Sequence, residues 1–386
     1  MEINPGGYID PSEIIGREAE IERYWQILRR QSLIINAERR IGKTLLLRKM
    51  GATGREQVST FYQELERVHS IIELISQIYR VVAKELPRAR WLRSHALKAW
   101  IAMSEQRIEK LSLPSASNNW KALLEIAVAD VLSLSERGTV VFMWDEFPLM
   151  LYNVRQREGA DHTIQLLDHL RHLRQTHGAR LRFLFTGSIG LHLVLRKLRI
   201  EGNANAPFND VHTELVPPLS PQDSHALTAG LCAALRHRPV DVSGICDVVA
   251  IKLGGFAYHI QHCFDLLDQL DRPASSGDIE SVIDALASNP SDPAHLAYTQ
   301  HRIQTYYSPE ESGVALAILD VLAAQDLVGL VELVNLVRHT IPEVTAHQVR
   351  DVLELLRQDQ CVTRTLDGRF GFCWLLIKLN WKSRRS

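Results

Sequence analysis

Residues 37–44 read AERRIGKT. Gly42, Lys43 and Thr44 stand there in the order that phosphate chemistry needs. Gly42 lets the backbone approach an anion without a side-chain clash. A helix starting at Lys43 would turn its free N–H groups toward that anion. The Lys43 ammonium would reach β- and γ-phosphates, and the Thr44 hydroxyl would bind magnesium. The general pattern, G-x-x-x-x-G-K-[ST], opens on glycine, and Ala37 takes that place here. A chance GKT at a helix start is the competing reading of the loop alone. About a hundred residues on, VVFMWDE ends an apolar run in Asp145 and Glu146. Asp145 would hold magnesium through its water shell, and Glu146 would polarise an attacking water. The run LRFLFTGS ends at Ser188. Thr186 and Ser188 are the polar groups there that would sense a γ-phosphate or orient the water.

These residues need a scaffold that gathers strand ends along one edge. Ser32 to Asn36 (SLIIN) predicts a short buried strand just before the loop, and LLLRKM predicts a helix just after it. Thr139 to Trp144 and Leu181 to Thr186 predict two more buried strands, and Val58 to Tyr62 another. Ile21 to Arg30 predicts an amphipathic helix with Ile21, Tyr24, Trp25 and Leu28 on one face, and Thr163 to Thr176 predicts a further helix. Strands as continuous apolar runs between helices imply a parallel sheet covered on both faces, a three-layer α/β sandwich. Its ligand edge is the one at the strand C-termini.

Length and charge bound the rest. The 386 residues, 46% hydrophobic, call for two or three domains. The expected division is 1–220 for the α/β domain, with a helical insertion at about 68–135, then 221–290 as a helical lid and 310–386 as a last domain. Residues 202–220 have no clear period and read as a loop or linker; 289–309 reads as a second linker with one short helix. The last domain shows three helical patterns, at 314–324, 330–338 and 345–358. They are followed by CVTRT and RFGFCW around an Asp367–Gly368 turn, which together spell a winged helix-turn-helix. The formal net charge is -1, so the chain lacks the basic excess of a dedicated nucleic-acid binder. Its five cysteines are scattered without a CxxC pair, which fits a reducing compartment. The opening residues carry no basic stretch followed by an apolar run, and no apolar run is long enough to span a bilayer. A cytoplasmic protein without a membrane partner is expected.

The series IIGREAEIERYWQIL, IINAERRIGKTLLL, FMWDEF and LFTGS resembles the AAA+-related ATPases of the STAND class. It most resembles the archaeal-type group with an ORC-like lid and a C-terminal winged helix. The positions that carry the resemblance are Gly16, Arg17 and Glu18; Arg39, Arg40, Ile41, Gly42, Lys43 and Thr44; Asp145 and Glu146; and Thr186 to Ser188. LGGFAYHIQHCFDLL resembles the family's lid stretch through Gly255, although Ala257 replaces a proline. The resemblance implies an ATP- and magnesium-dependent hydrolase that switches the relation of its domains. It implies a nucleotide held by Gly16, Arg17 and the loop from Arg39 to Leu45, with the residues around Ile14 to Arg17 near the adenine. It implies Lys43, Glu146 and Ser188 as the catalytic set and Thr44 and Asp145 as the magnesium ligands. ATP or ADP and a protein partner acting in trans follow from it, and an oligomer is compatible with it. No arginine is assignable as an activating finger; Arg196 and Arg199 are the nearest, in a run that reads as a solvated basic face.

Other signals weigh less. His162, His169, His172 and His177 gather on one helix, which reads as a polar, solvent-facing surface. His225, His237, His259 and His262 read as a histidine-rich lid, with His259 able to approach a phosphate. Residues 310–386 carry nine Lys and Arg against ten Asp and Glu. The expected recognition helix holds Asp351, Glu354 and Asp359, which oppose phosphate contact. Protein packing is favoured there over DNA, with Arg350, Arg357 and the KSRRS tail leaving some room for it. The basic residues of 88–110, interleaved with Trp91 and Trp100, could grip single-stranded nucleic acid; an amphipathic helical pair is the favoured reading. The alternatives to a switch are a DNA-handling ATPase, an initiator or transposition-type loader, and a module that binds nucleotide without turnover.

Overall fold

The computed structural model describes residues 1–85, 119–135, 138–201 and 205–385. The segment 88–110, with Trp91 and Trp100, lies outside the described residues. The chain divides into two compact units. One comprises Ala19–Asn36 and Leu46–Leu215; the other comprises Met1–Glu18, Ala37–Leu45 and Val216–Ser386.

The first unit is a five-stranded parallel sheet with helices on its faces. Its strands are β1 (Ser32–Asn36), β2 (Val58–Glu64), β3 (Thr139–Asp145), β4 (Leu181–Thr186) and β5 (Val211–Leu215), in the order β2-β3-β4-β1-β5. β3 and β4 are the central, most apolar strands, and Val140, Phe142, Met143, Phe183 and Leu184 are fully buried. Burial on both faces is why they read as unbroken apolar runs. The aromatic core stacks across them, with Phe142 and Phe183 at 5.6 Å and Phe147 and Phe185 at 4.3 Å between ring centroids. The buried Trp144 indole donates to Gln63 Oε1 at 2.7 Å, which satisfies its one polar atom.

The helices that cover this sheet are α1 (Glu18–Leu28), α2 (Lys43–Thr53), α3 (Ile71–Glu85), α4 (Trp120–Leu134), α5 (Phe147–Glu158), α6 (Ala160–His177) and α7 (Leu191–Ile200). On α1 the buried residues are Ile21, Tyr24, Trp25 and Leu28, the face that the 3.6-residue period marks. Helices α3 and α4 pack on each other. β5 corrects the reading of 202–220 as loop. Its sequence, VHTEL, sets three polar residues between two apolar ones, and among the described residues it pairs only with β1, Ile34 opposite Thr213. A half-exposed edge strand has no apolar run to announce it.

In the other unit, α8 (Pro221–Ala234), α9 (Val242–Leu253), α10 (Ala257–Leu267) and α11 (Ser276–Ser288) form a helical group. Their ends fall where the sequence supplies caps. Ser220 accepts from Asp223 N with Pro221 at the first turn, Asp241 accepts from Gly244 N, and Ser275 with Asp278 closes a capping box. Next come α12 (Tyr298–Tyr306), α13 (Pro309–Ala324), α14 (Leu330–Thr340) and α15 (Ala346–Gln358). An antiparallel hairpin follows, β6 (Val362–Arg364) with β7 (Phe370–Phe372), and Phe370 also bridges to Val328.

A last helix, α16 (Leu375–Arg385), was not expected. It buries Leu376, Ile377, Asn380 and Trp381, packs on α11 and α13, and donates from Trp381 Nε1 to Asp320 at 2.9 Å. The KSRRS tail is therefore mostly the last turn of a packed helix. Among the described residues, no helix is long and apolar enough to cross a membrane.

Candidate functional site

Two groups of the expected site residues can be built from their elements. The first lies at the C-terminal edge of the sheet. Asp145 is the last residue of β3 and Thr186 the last of β4, the strand beside it. Asp145 is buried, and Thr186 Oγ1 donates to its Oδ1. Tyr62 Oη lies 3.4 Å from its Oδ2, and the Glu146 amide donates to its Oδ1 at 3.1 Å. Burial first, and then the charges of Asp145 and Glu64, push the Tyr62 phenol well above its ordinary pKa, so it stays a donor.

Glu146 caps the start of α5 in the left-handed region, with φ of 58°. Few non-glycine residues adopt that conformation, and they concentrate at functional sites. Its Oε2 accepts from Ser188 N at 2.8 Å and from Ser188 Oγ at 2.7 Å. The T-G-S end of β4 thus brackets both carboxylates of β3: Thr186 holds Asp145 and Ser188 holds Glu146. The glycine between them is a packing requirement, since a Cβ on Gly187 would stand 2.6 Å from Pro148 Cδ. The structure brings Asp145, Glu146, Thr186 and Ser188 together at this edge, and with them Tyr62, which has no motif around it in the sequence.

The second group is the loop that follows β1 directly in the chain. Gly42 has φ of 108°, a conformation that strains a residue with a Cβ. α2 begins at Lys43, so its first N–H groups belong to the loop's turn. The buried Lys43 ammonium reaches back to the carbonyls of Ala37 at 3.0 Å and Glu38 at 2.9 Å. Thr44 and Leu45 continue the first turn of the helix.

Gly16 and Arg17 both have positive φ. The Arg17 guanidinium is buried and donates to the carbonyls of Pro217 at 2.7 Å and Ile41 at 3.3 Å, so it braces the loop. The Arg39 guanidinium lies 3.9 Å from the Tyr298 ring centre, and that of Arg40 lies 5.0 Å from Tyr258. Neither tyrosine was singled out in the sequence, and neither was Arg302. Arg302 is buried and pairs with Glu38 and Asp359. Arg302 stands alone in a segment read as linker, and only the three-dimensional neighbourhood identifies it.

His259 is fully buried and stacks on Phe256 at 3.9 Å; burial pushes its pKa down to about 3, so it brings no positive charge. His169 does not face solvent: it is buried against Trp120 with Glu125 at 3.4 Å. Of the nine cations of 310–386, Arg357, Arg369, Lys378, Arg384 and Arg385 pair with carboxylates. A cavity of about 850 Å³ borders Val58, Thr139 and Gly138 at the starts of β2 and β3, the opposite edge of the sheet from Asp145.

Magnesium prefers oxygen donors and near-octahedral geometry with retained waters. The Thr44 hydroxyl on the loop and the Asp145 carboxylate at the sheet edge are donors of that kind.

No family model matches the chain, and no curated protein matches it. Solved structures do. A Walker-type ATPase of Pyrococcus abyssi is similar with a TM-score of 0.65 at 15% identity, over 99% of this chain and 100% of that one. The ORC2 protein of Aeropyrum pernix, in its ADPNP–ADP complexes, is similar with a TM-score of 0.55 at 15% identity, over 99% of this chain and 96% of that one. The chain therefore has the α/β fold of a P-loop NTPase, a parallel five-stranded sheet flanked by helices, followed by a helical C-terminal region.

Proposed function

We propose that the protein binds ATP and magnesium and hydrolyses the ATP, as a molecular switch of the STAND/AAA+ kind that regulates a partner protein or assembly. The observation that carries this reading is the sheet edge. β3 ends at Asp145 with Glu146 next to it, the neighbouring β4 ends at Thr186 with Ser188 two residues on, the hydroxyls of Thr186 and Ser188 hold the two carboxylates, and β1, on the other side of β4, leads straight into AERRIGKT. In open α/β sheets ligands bind at the C-terminal strand edge, and phosphoryl transfer needs chiefly positioning and charge neutralisation there. The solved structures of similar fold are of a Walker-type ATPase and of a protein with ADPNP and ADP, which supports a nucleotide as the ligand.

In this reading the Lys43 ammonium leaves the carbonyls of Ala37 and Glu38 for the β- and γ-phosphates. The amides from Arg39 to Leu45 wrap those phosphates, and Gly16 and Arg17 line the adenine side. Thr44 and Asp145 would hold magnesium, which would supply neutralisation of the phosphate charge. Glu146 polarises the attacking water, and Ser188 sets the direction in which its carboxylate points. The three helices α13–α15 with the hairpin act as a winged helix that packs on protein, since five of that region's nine cations already meet carboxylates.

Equilibrium binding of ATP and ADP to wild type and Lys43→Ala tests the reading. Binding to wild type with a loss of at least about a hundredfold in the variant is expected; equal binding by both would remove the loop from the site. Retention on DNA that weakens with salt would favour the DNA-handling alternative.

A further inference from the structure

The loop 37–45 belongs to the same compact unit as the C-terminal helices, and one of its residues is fixed at every polar group. Glu38 Oε2 accepts from Arg302 Nη2 at 3.2 Å, and its Oε1 accepts from the Arg39 amide at 2.9 Å. Its own N–H donates to Gln360 Oε1 at 3.2 Å, and its carbonyl accepts from Lys43 Nζ at 2.9 Å.

Arg302, on α12, is the hub. It is 1% exposed, with Glu38 at 3% and Asp359 at 4%. Its Nη2 also donates to the Asp359 carbonyl and toward Cys361 Sγ, both at 2.9 Å, and its Nε stands 3.8 Å from Asp359 Oδ2. Tyr307 Oη closes the cluster on Asp359 at 2.9 Å. A guanidinium this deep needs compensating charge, and two carboxylates supply it.

We propose that Arg302 is the positioning residue of the phosphate loop: through Glu38 it fixes the backbone that holds Lys43, and it ties the loop's shape to α12 and to the junction of α15 with β6. The inference deepens the nucleotide-binding reading and rests on it for its consequence. The chain of contacts runs from Lys43 Nζ to the Glu38 carbonyl, from the Glu38 carboxylate to Arg302, and from Arg302 to Asp359. Arg39 on Tyr298 and Arg40 on Tyr258 add two further holds on the same loop. A ligand that draws Lys43 away from Glu38 acts on a residue already anchored to the C-terminal helices. Occupancy of the loop and placement of those helices are then one equilibrium.

Amide hydrogen exchange on the full chain tests this, with wild type, Glu38→Gln, Arg302→Met and the double variant, each without nucleotide and with ATP and magnesium. Without nucleotide, Glu38→Gln and Arg302→Met should each speed exchange of residues 38–43 by about tenfold, and the double variant should add little, as coupled sites do. In Glu38→Gln, exchange in α13 should stay at the wild-type rate. Loop exchange within twofold of wild type in Glu38→Gln would overturn the inference. If Arg302→Met exchanges quickly throughout, α13 included, the decision passes to Glu38→Gln, which leaves Arg302 paired with Asp359. The nucleotide arm separates the two claims. Variants that loosen the loop while ATP protects nothing in wild type would remove the nucleotide reading and leave Arg302 as the loop's anchor.

Discussion

Glu38 and Asp359 meet a guanidinium, whereas Asp145 and Glu146 are bracketed by the hydroxyls of Thr186, Tyr62 and Ser188 and by two amides. In the Arg302 cluster the protein cancels the charge itself. Burial alone would lower the Arg302 pKa, yet the charges of Glu38 and Asp359 outweigh it and raise the value well above the ordinary one. At the sheet edge, hydroxyl and amide donors orient the carboxylates. The guanidinium cluster ties distant segments together; the hydroxyls and amides at the sheet edge set the direction of the carboxylates they meet.

The largest effect is expected at the buried guanidinium. Arg302→Met leaves two carboxylates buried around a lost cation, and should cost about 3–5 kcal/mol, read as a lowered thermal midpoint of the C-terminal unit. A loss below roughly 1 kcal/mol would mean that water or relaxation replaces the guanidinium easily. At the neutral end, Thr186→Val removes one hydroxyl from Asp145 and should cost about 1.5–3 kcal/mol. A cost above that of Arg302→Met would mean that the sheet-edge hydroxyl, and not the buried guanidinium, is the stronger hold.

Gly187→Ala sharpens the sheet-edge side, because its methyl would stand 2.6 Å from Pro148 Cδ. Overpacking of that kind should cost about 1–3 kcal/mol and turn Ser188 away from Glu146, visible as a drop in any hydrolysis that exceeds the drop in nucleotide affinity.

The smallest effect concerns His259. Its folded pKa is about 3, depressed by burial from the ordinary 6.5. Below pH 6.5 the unfolded chain takes up a proton that the folded chain refuses. Stability is therefore lost as pH falls from 6.5 toward 3, by at most roughly 1.4 kcal/mol per pH unit. His259→Gln should flatten the fall in thermal midpoint between neutral and mildly acid pH. An unchanged slope would assign the acid sensitivity to other groups.

Much of the sheet was legible in the sequence because its central strands announce themselves. SLIIN, TVVFMWD and LRFLFT are apolar runs with few other readings, and the strands fall on them almost residue for residue. The acidic pair and the T-G-S end were legible for the same reason, since each ends such a run. β5 was not legible, because VHTEL at an edge needs only one apolar face. α16 was hidden by its charged tail, although Leu376, Ile377 and Trp381 supply a buried stripe.

The anchors of the loop were not legible at all. Arg302 lies more than 250 residues from Glu38, in a stretch without a motif, and Asp359 counted only as an acid unfavourable to DNA. Long-range ion clusters have no spacing rule, so the sequence holds their residue types but not their meeting. The two loop arginines, expected at a nucleotide, stand over Tyr298 and Tyr258, and aromatic partners so distant in sequence leave no local sign.

The most direct test of the central claim is phosphate release from ATP and magnesium by wild type, Lys43→Ala and Glu146→Gln. The account predicts turnover by wild type, a fall of at least about a hundredfold in both variants, and retained ATP binding by Glu146→Gln alone of the two. Turnover by Glu146→Gln at the wild-type rate would contradict it, because the carboxylate held by Ser188 would then have no part in the chemistry.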